Sequence, residues 1–191
     1  MGELTVLVDA GLPPRELRER FAAAGLAHQG LDHVLVTHGH LDHARSAGVV
    51  AKRHQATVHC ATSLLRARSI VRAPRLVALH IGAETVLEGS GERATYRAVP
   101  VPHDCDPTVA YRIEHRGRAL GILTDIGRPD AGVAAALRGV HLLVIEFNHD
   151  AELLAAGPYG DSLKRRILGD RGHLSNEQAA EMLRAIAAPE L

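Results

Sequence analysis

Apolar residues along this chain fall into short β-rich runs that alternate with stretches of helical spacing. The first run, Leu4–Asp9, ends at a turn of small residues and prolines, which predicts a strand. Pro14 suits the first turn of a following helix, where its missing N–H costs nothing. Leu17 and Phe21 recur at helical spacing and Gly25 ends the pattern, so the chain begins with a strand and an amphipathic helix.

The same alternation continues to the end of the chain. The pattern predicts strands at 33–38, 56–60 and 141–150, a strand that runs into a loop over 94–104, and a hairpin at 108–115 and 119–124. It predicts helices at 46–55, 62–71, 128–139 and 150–157, with short strands and turns over 73–92. A last helix begins with a capping box at Ser175–Gln178 and places Ala179, Met182, Leu183 and Ile186 on one face. This order predicts an α/β fold (α+β in some schemes) with mixed sheets and outer helices.

Composition limits the class of protein. The chain has 191 residues, which fits one domain, and its 3% aromatic content means that aliphatic side chains form the core. The formal net charge of zero gives no overall attraction to nucleic acid or to an acidic membrane. Two cysteines make no disulfide framework, the opening residues lack the cationic and long apolar regions of a signal peptide, and no run approaches ~18 apolar residues. We therefore expect a soluble, cytoplasmic protein that does not bind membranes.

The segment VTHGHLDHARSAG holds the clearest chemical signal. Its pattern is H-x-H-x-D-H, formed by His38, His40, Asp42 and His43. Imidazole and carboxylate groups are the usual ligands of Zn²⁺, Mn²⁺ and Fe²⁺. Alternate residues of an extended loop point the same way, so His38 and His40 are predicted to bind one ion. Asp42 and His43 allow a second ion beside it, and paired ions activate water and hold a phosphate or acyl oxygen.

Three later strands also end in polar residues. These residues are His103, Asp125 and Glu146. Alone, each has an ordinary interpretation as a loop histidine, a turn aspartate or a strand-end salt bridge. Strands that end together bring such groups to one edge of a sheet, so His103 and Asp125 become predicted ligands beside the histidine loop. Cys105 is better interpreted as a buried thiol than as a soft ligand.

The order of these motifs resembles that of metallo-β-lactamase-fold proteins. A strand that ends in Asp9 comes first, and the histidine loop, His103 and Asp125 follow in the family's order. The resemblance implies an αββα sandwich with two divalent ions, zinc or manganese, at one edge. It also implies a single domain over residues 1–191 that is trimmed at both ends.

The resemblance also implies which side chains hold the two ions. The ligands implied for the first ion are His38, His40 and His103. Those implied for the second ion are Asp42 and His43, with Asp125 bridging both ions. Asp42 is counted with Glu146 and His173 among the residues that serve catalysis.

Later segments are similar to the YycJ/WalJ group of bacterial proteins, described as double-strand DNA 5′-to-3′ exonuclease-like. These segments are PHDCDPTVAYRIE, GILTDIG, IEFNHD and SLKRRILGDRGHLSNEQAA. In that comparison Glu146 and His173 match an acid and a histidine that assist proton transfer near the leaving group. A carboxylate that orients an imidazole raises its basicity, which suits that task. The ordinary interpretation of His173 is a residue beside a helix N-cap.

The chain departs from the family at both ends. The family usually has a strand before the one that ends in Asp9, and it usually supplies a last metal histidine from a strand after the final helix. This chain ends at AIAAPEL. Three explanations stay open: the chain is a fragment, the second site is weak, or His173, His149 or water replaces the missing ligand.

The substrate is the least determined property. Basic residues cluster before His173, namely Lys164, Arg165, Arg166 and Arg171. A contact to a DNA backbone and a solvated helix face explain them equally well, and His149 either touches the phosphate or braces its loop. The leading hypothesis is a metal-dependent phosphodiesterase, a DNA exonuclease that uses a metal-bound hydroxide. The alternatives are a hydrolase of a small thioester, lactone or phosphodiester, and a non-catalytic binding protein. The native metal and the oligomeric state stay open.

Overall fold

The computed structural model describes residues 3–26 and 30–187, which contain nine strands and seven α-helices. The strands are β1 (Val6–Val8), β2 (His33–Leu35), β3 (Thr57–Cys60), β4 (Arg75–Ala78), β5 (Glu84–Gly89), β6 (Glu92–Val101), β7 (Thr108–His115), β8 (Arg118–Leu123) and β9 (Leu142–Ile145). The helices are α1 (Pro14–Ala23), α2 (Leu41–Ala44), α3 (Ala47–His54), α4 (Ala131–Leu137), α5 (Ala151–Ala156), α6 (Asp161–Leu168) and α7 (Asn176–Ala187).

The described chain divides into two compact units. Unit 1 comprises the residues up to His80 together with Thr85–Thr95, and unit 2 comprises Ile81–Glu84 and the residues from Tyr96 onward. The mixture of strands and helices confirms the predicted α/β class. The expectation of one domain over residues 1–191 stays a prediction.

Unit 1 is built on a parallel sheet with the order β1-β2-β3-β4. In its register, Val34 pairs with Leu7 on one side and with Val58 on the other. Every residue of β2 and β3 is buried, as expected of parallel strands covered on both faces. Leu17 and Phe21 of α1 pack into the same core, as their helical spacing predicts. Unit 1 also includes residues 85–95, which form most of β5 and the start of β6. These two strands are neighbours in a separate, five-stranded sheet.

Unit 2 contains a sheet in which β6, β7, β8 and β9 follow one another. β7 and β8 form the predicted antiparallel hairpin, and β8 and β9 are parallel, with Leu123 beside Ile145. Helices α4 and α7 pack their apolar side chains into one core with this sheet. Because β8 and β9 are parallel, their carboxyl ends lie at the same edge, which brings Asp125 and Glu146 close together.

The predicted last helix is confirmed together with its cap. The Ser175 N–H donates to Gln178 Oε1 at 2.9 Å, and the Gln178 N–H donates to Ser175 Oγ at 3.2 Å. This reciprocal pair is a capping box. The predicted face of α7 is largely right, because Met182 and Ile186 are buried, but Leu183 is 41% exposed.

One predicted helix is wrong. Residues 62–71 form only a 3-10 turn at Thr62–Leu64, and further turns follow it. The Ser69 carbonyl accepts the N–H of Gly48 at 2.7 Å instead of serving a helix of its own. This tertiary contact overrides the local helix propensity. The strand predicted at 33–38 is also shorter, since β2 ends at Leu35.

Two short helices escaped the sequence analysis for physical reasons. The four-residue α2 is too short to show a period, and α6 buries no side chain. Across the described ranges, none of the helices has both the length and the apolar character needed to cross a membrane.

Candidate metal centre

The histidine loop of unit 1 follows β2 and is fastened to the end of β1. Asp9 comes directly after β1 with a φ of 59°, a left-handed conformation that aspartate adopts more readily than most residues. Its Oδ1 accepts the Thr37 N–H at 2.8 Å, and its Oδ2 accepts the Thr37 hydroxyl at 2.8 Å and Nδ1–H of His43 at 2.7 Å. One carboxylate therefore holds two points of the loop.

Thr37 determines which nitrogen of His38 can bind a metal. The Thr37 hydroxyl donates its one proton to Asp9, so its oxygen accepts from Nδ1–H of His38 at 3.0 Å. A neutral imidazole protonated at Nδ1 carries its lone pair on Nε2. The ring of His38 is fully buried, so this tautomer is held in place.

His38 and His40 are spaced as two ligands of one ion. Nε2 of His38 lies 3.0 Å from Nδ1 of His40. Two tetrahedral Zn–N bonds of ~2.0–2.1 Å place their nitrogens about 3.3 Å apart. The observed spacing is close to that value, so this pair fits the donor geometry expected for the first ion.

His43 and Asp42 offer a second pair of ligand atoms. His43 gives its Nδ1–H to Asp9, which leaves the Nε2 lone pair available. Asp42 Oδ2 lies 3.8 Å from that Nε2, and the Asp42 side chain is 82% exposed. We call His38, His40 and His43 the first donor set.

The turn after β1 supports the loop through backbone contacts. The Ala10 N–H donates to the His43 carbonyl at 2.7 Å, and the Ser46 N–H donates to the Ala10 carbonyl at 2.8 Å. A Cβ atom at Gly11 would lie 1.4 Å from the carbonyl oxygen of Asp42. Position 11 therefore accepts only glycine, for a steric reason that follows from the loop.

In unit 2, the buried His103 lies two residues beyond β6. Its Nδ1–H donates to the Gly172 carbonyl at 2.9 Å, and Nε of Arg171 donates to the His103 carbonyl at 2.7 Å. Burial lowers the pKa of His103, which favours the neutral ring with its lone pair on Nε2. That nitrogen lies 3.2 Å from Asp104 Oδ1.

Glu146 organises the rest of this edge of unit 2. Its Oε1 accepts the N–H of Ile126 at 2.9 Å and the N–H of Leu174 at 3.3 Å. Its Oε2 lies 3.1 Å from Nδ1 of His173, which is also 3.2 Å from Asp125 Oδ1. Glu146 therefore joins the loop after β8 to the loop before α7 and orients His173 between two carboxylates.

His103, Asp125 and His173 form the second donor set. They offer one ligand atom each, and these atoms lie within 4.8 Å of one another. The two imidazoles differ, because the hydrogen bond to Glu146 raises the pKa of His173 while burial lowers that of His103. His103 therefore suits metal binding, and His173 suits holding a proton for transfer.

Comparison with known proteins identifies the family. The model of the beta-lactamase superfamily domain matches residues 5–191, nearly the whole chain. The chain belongs to the beta-lactamase superfamily. Exodeoxyribonuclease YycJ of Bacillus anthracis and exodeoxyribonuclease WalJ of Streptococcus pneumoniae serotype 2 (strain D39) are both 31% identical to it over 183 residues. Each alignment covers 93% of this chain and 67% of the relative.

A solved structure supports the same fold for this beta-lactamase superfamily member. Zn(2+)-bound PqqB from Methylobacterium extorquens superposes with a TM-score of 0.70 at 18% identity, covering 93% of this chain and 67% of that protein. The resemblance inferred from the sequence motifs and the metallo-β-lactamase fold are thus confirmed. Membership of this fold family implies divalent metal binding, and both donor sets have the ligand chemistry it needs.

Two of the three basic residues predicted to bind substrate already have partners within unit 2. Nε of Arg166 lies 2.5 Å from Asp104 Oδ2, and Nζ of Lys164 donates to the Ala155 carbonyl at 2.6 Å. Arg165 is exposed and forms no ion pair within the described part of the chain. A substrate role for these three residues stays a prediction.

His149 braces its loop through the backbone. Its carbonyl accepts the Asn176 N–H at 2.8 Å, and it forms an isolated β-bridge with Ser175. Its Nε2 is buried and has no hydrogen-bond partner among the described residues. The backbone of His149 thus supports this loop, and the role of its side chain, whether bracing or a phosphate contact, stays a prediction.

Two supporting residues of the superfamily member's candidate centre were missed by the sequence analysis. Thr37 directly precedes His38 in the sequence, and this position next to a predicted ligand is a sign that its hydroxyl could orient the ring. Gly172 acts only through its carbonyl oxygen, for which no side-chain pattern exists. Both of them set the tautomer of a predicted metal ligand.

The two cysteines of the chain are thiols in different surroundings. Cys60 is buried on β3, and burial raises its pKa to about 11. Cys105 is half-buried and lies two residues after His103. A buried thiol with a raised pKa is chemically inert.

Proposed function

We propose that this chain is a metal-dependent phosphodiesterase that removes nucleotides from an end of DNA. The observation that carries the proposal is the 31% identity, over 93% of the chain, to proteins named exodeoxyribonucleases. The tautomers of His38, His43 and His103 support it, because each ring leaves a lone pair for a cation.

We propose the ligand assignment that the family resemblance implies. The first ion takes His38, His40 and His103, and the second takes Asp42 and His43, with Asp125 shared. Two divalent ions, zinc or manganese, are proposed per chain. When bound, such ions lower the pKa of water and stabilise negative charge on a phosphate.

The chain's own acid–base pair serves the leaving group in this proposal. Glu146 holds His173 by its Nδ1–H, which directs Nε2 away from the carboxylate. A proton on Nε2 can then pass to the departing oxygen of the DNA strand. His149, Lys164, Arg165 and Arg166 are proposed to touch substrate phosphates, and Asp42 acts in catalysis as a ligand.

Metal-dependent cleavage of DNA tests the function directly. Protein stripped with a chelator is incubated with duplex DNA labelled at one 5′ end or one 3′ end, with and without Mn²⁺ or Zn²⁺. We expect stepwise release of nucleotides only with metal, and the label released first gives the direction. Hydrolysis of a small thioester, lactone or phosphodiester with intact DNA left over would contradict the proposal.

Metal content tests the ligand assignment independently of the activity. Elemental analysis after purification without chelators is expected to give two ions per chain. His40→Ala and Asp125→Ala are each expected to lower this number, since one lies in each donor set. A metal content unchanged by both substitutions would disprove the assignment.

We also propose a cytoplasmic location. Both cysteines are thiols, which suits a reducing compartment. Fractionation of cells that produce the protein would test this, and recovery from the extracellular medium would contradict it.

A further inference from the structure

Positive charge is concentrated in one stretch of unit 1. The chain as a whole has 22 basic and 22 acidic residues. Between Asp42 and Glu84, however, the sequence has no acidic residue and seven basic ones. These are Arg45, Lys52, Arg53, Arg66, Arg68, Arg72 and Arg75. An even mixture of charges would have placed several carboxylates in this stretch.

All seven side chains are exposed, and six of them make no side-chain hydrogen bond or ion pair within the described ranges. Arg45, Lys52, Arg53, Arg66, Arg68 and Arg72 are exposed, and none forms an ion pair within the described ranges. Arg75 is different, because its guanidinium donates to Thr57 Oγ1 and to the Gln55 carbonyl. We call the six unpaired residues the basic surface.

The turns over residues 62–73 explain how so many arginines become exposed. Leu64, Leu65 and Ala67 of this segment pack against the core, and Ile70 is fully buried. The arginines between them must then point outward. The apolar residues fasten the segment, and the basic residues cover its outer side.

Two parts of the basic surface meet at Gly48. The Gly48 N–H donates to the Ser69 carbonyl at 2.7 Å, and a Cβ at Gly48 would lie 2.7 Å from the carbonyl oxygen of Ile70. Backbone contact this close keeps α3 and the turns side by side. Lys52 is one helical turn beyond the contact, about 6 Å along the axis. Arg68 is adjacent in sequence to the Ser69 side of the same contact.

Some other basic groups of the protein form ion pairs with neighbouring carboxylates. In unit 1, Arg15 pairs with Glu19 at 2.9 Å and Arg20 pairs with Glu16 at 3.4 Å on α1. In unit 2, Arg166 pairs with Asp104. The basic surface differs from these pairs because its stretch of the sequence supplies no carboxylate between Asp42 and Glu84.

We propose that the basic surface binds the phosphate backbone of duplex DNA, an inference that rests on the proposed DNA substrate. Phosphates supply the anions that the surrounding protein does not. Arginine suits this task, because its planar guanidinium binds phosphate through two parallel hydrogen bonds. Such contacts carry no base specificity, as an exonuclease acting on any sequence requires.

The test is binding of a fluorescent 20-base-pair duplex by the 191-residue chain in the presence of a chelator, which prevents cleavage. Arg66→Gln/Arg68→Gln/Arg72→Gln is compared with Arg15→Gln/Arg18→Gln/Arg20→Gln, which removes three charges from α1 in the same unit. We expect Kd to rise about 10-fold or more in the first variant only. Each lost phosphate contact should also reduce the slope of log Kd against log salt by about 0.9.

The outcomes separate this inference from the proposed function. An equal rise in Kd in both triple variants, or none in the first, would overturn the basic surface while the wild type still cleaves DNA. Wild-type protein that neither binds nor cleaves DNA would overturn the proposed function as well. A third variant with lysine at positions 66, 68 and 72 keeps the charge and should keep most of the affinity. Equal metal content and thermal stability in all variants exclude misfolding.

Discussion

Both donor sets bring metal-binding side chains together, but the first draws them from one short segment and the second from segments far apart in the sequence. The first set is drawn from six consecutive residues, and one carboxylate, that of Asp9, fixes its orientation directly and through Thr37. The second set comes from three loops spread between His103 and His173, joined by Glu146 and the Gly172 carbonyl. A local motif can be recognised in isolation, whereas a dispersed one depends on the sheet that gathers it.

The largest expected effect comes from removing a ligand of either set. His40→Ala and Asp125→Ala should each reduce DNA hydrolysis by on the order of 1,000-fold or more, because stabilisation by the ions is worth several kcal/mol. The assay is turnover at saturating Mn²⁺ together with circular dichroism. Equal loss in both variants, with the fold intact, would show that the two sets serve one reaction. Wild-type turnover in either variant would disprove the mechanism.

Replacing the organising acid of the second set should affect proton transfer. Glu146→Gln keeps an oxygen for the two backbone N–H groups but removes the charge beside His173. We expect turnover to fall about 100-fold or more with metal content unchanged, in line with loss of acid–base assistance. The pH profile of turnover should shift as well, which a purely structural defect would not produce. Loss of metal from this variant would contradict the assigned role.

Replacing the organising acid of the first set should affect metal affinity. Asp9→Asn removes the charge that holds Thr37 and His43, and losses of about 10- to 100-fold in metal affinity are typical of such changes. Competition with a chelating dye measures that affinity. The matched control is Asp32→Asn in the same unit, which loses one carboxylate that accepts the Thr5 N–H. Equal affinities in the two variants would disprove the orienting role.

A separate effect, on stability instead of activity, concerns a histidine pair outside both sets. His33 Nδ1 lies 3.0 Å from His59 Nε2 in the buried centre of the parallel sheet, and burial lowers the pKa of His59 from 6.5 to about 4. The unfolded chain therefore binds a proton that the folded chain does not between these pH values. Stability present above pH 6.5 should be lost progressively as the pH falls toward 4, by on the order of 3 kcal/mol.

Urea unfolding at several pH values, with a chelator present, would measure this loss. His59→Phe removes the more strongly shifted of the two histidines and should reduce the pH dependence between pH 6.5 and 4. An unchanged slope in this variant would mean that other groups cause the acid sensitivity.

The sequence predicts the first donor set well because its spacing directly encodes a loop geometry. It predicts His103, Asp125 and Glu146 only as a group, since each has an ordinary explanation alone. The groups that orient the ligands are harder still to predict, because Gly172 contributes to His103 a carbonyl oxygen whose position depends on the whole loop before α7. The turns over residues 62–71 were interpreted as a helix because local spacing does not reveal the tertiary contact at Gly48. As a result, the exposed arginines of that segment were missed.

The difference between the two thiols offers a practical route to observing the second donor set. Cys60 is buried with a pKa of about 11, so it should react slowly with maleimides at neutral pH. Cys105 is half-buried and lies two residues from His103. An environment-sensitive dye should therefore attach to the unmodified protein at a single position. Its emission would report events at this loop in real time, without any engineered cysteine.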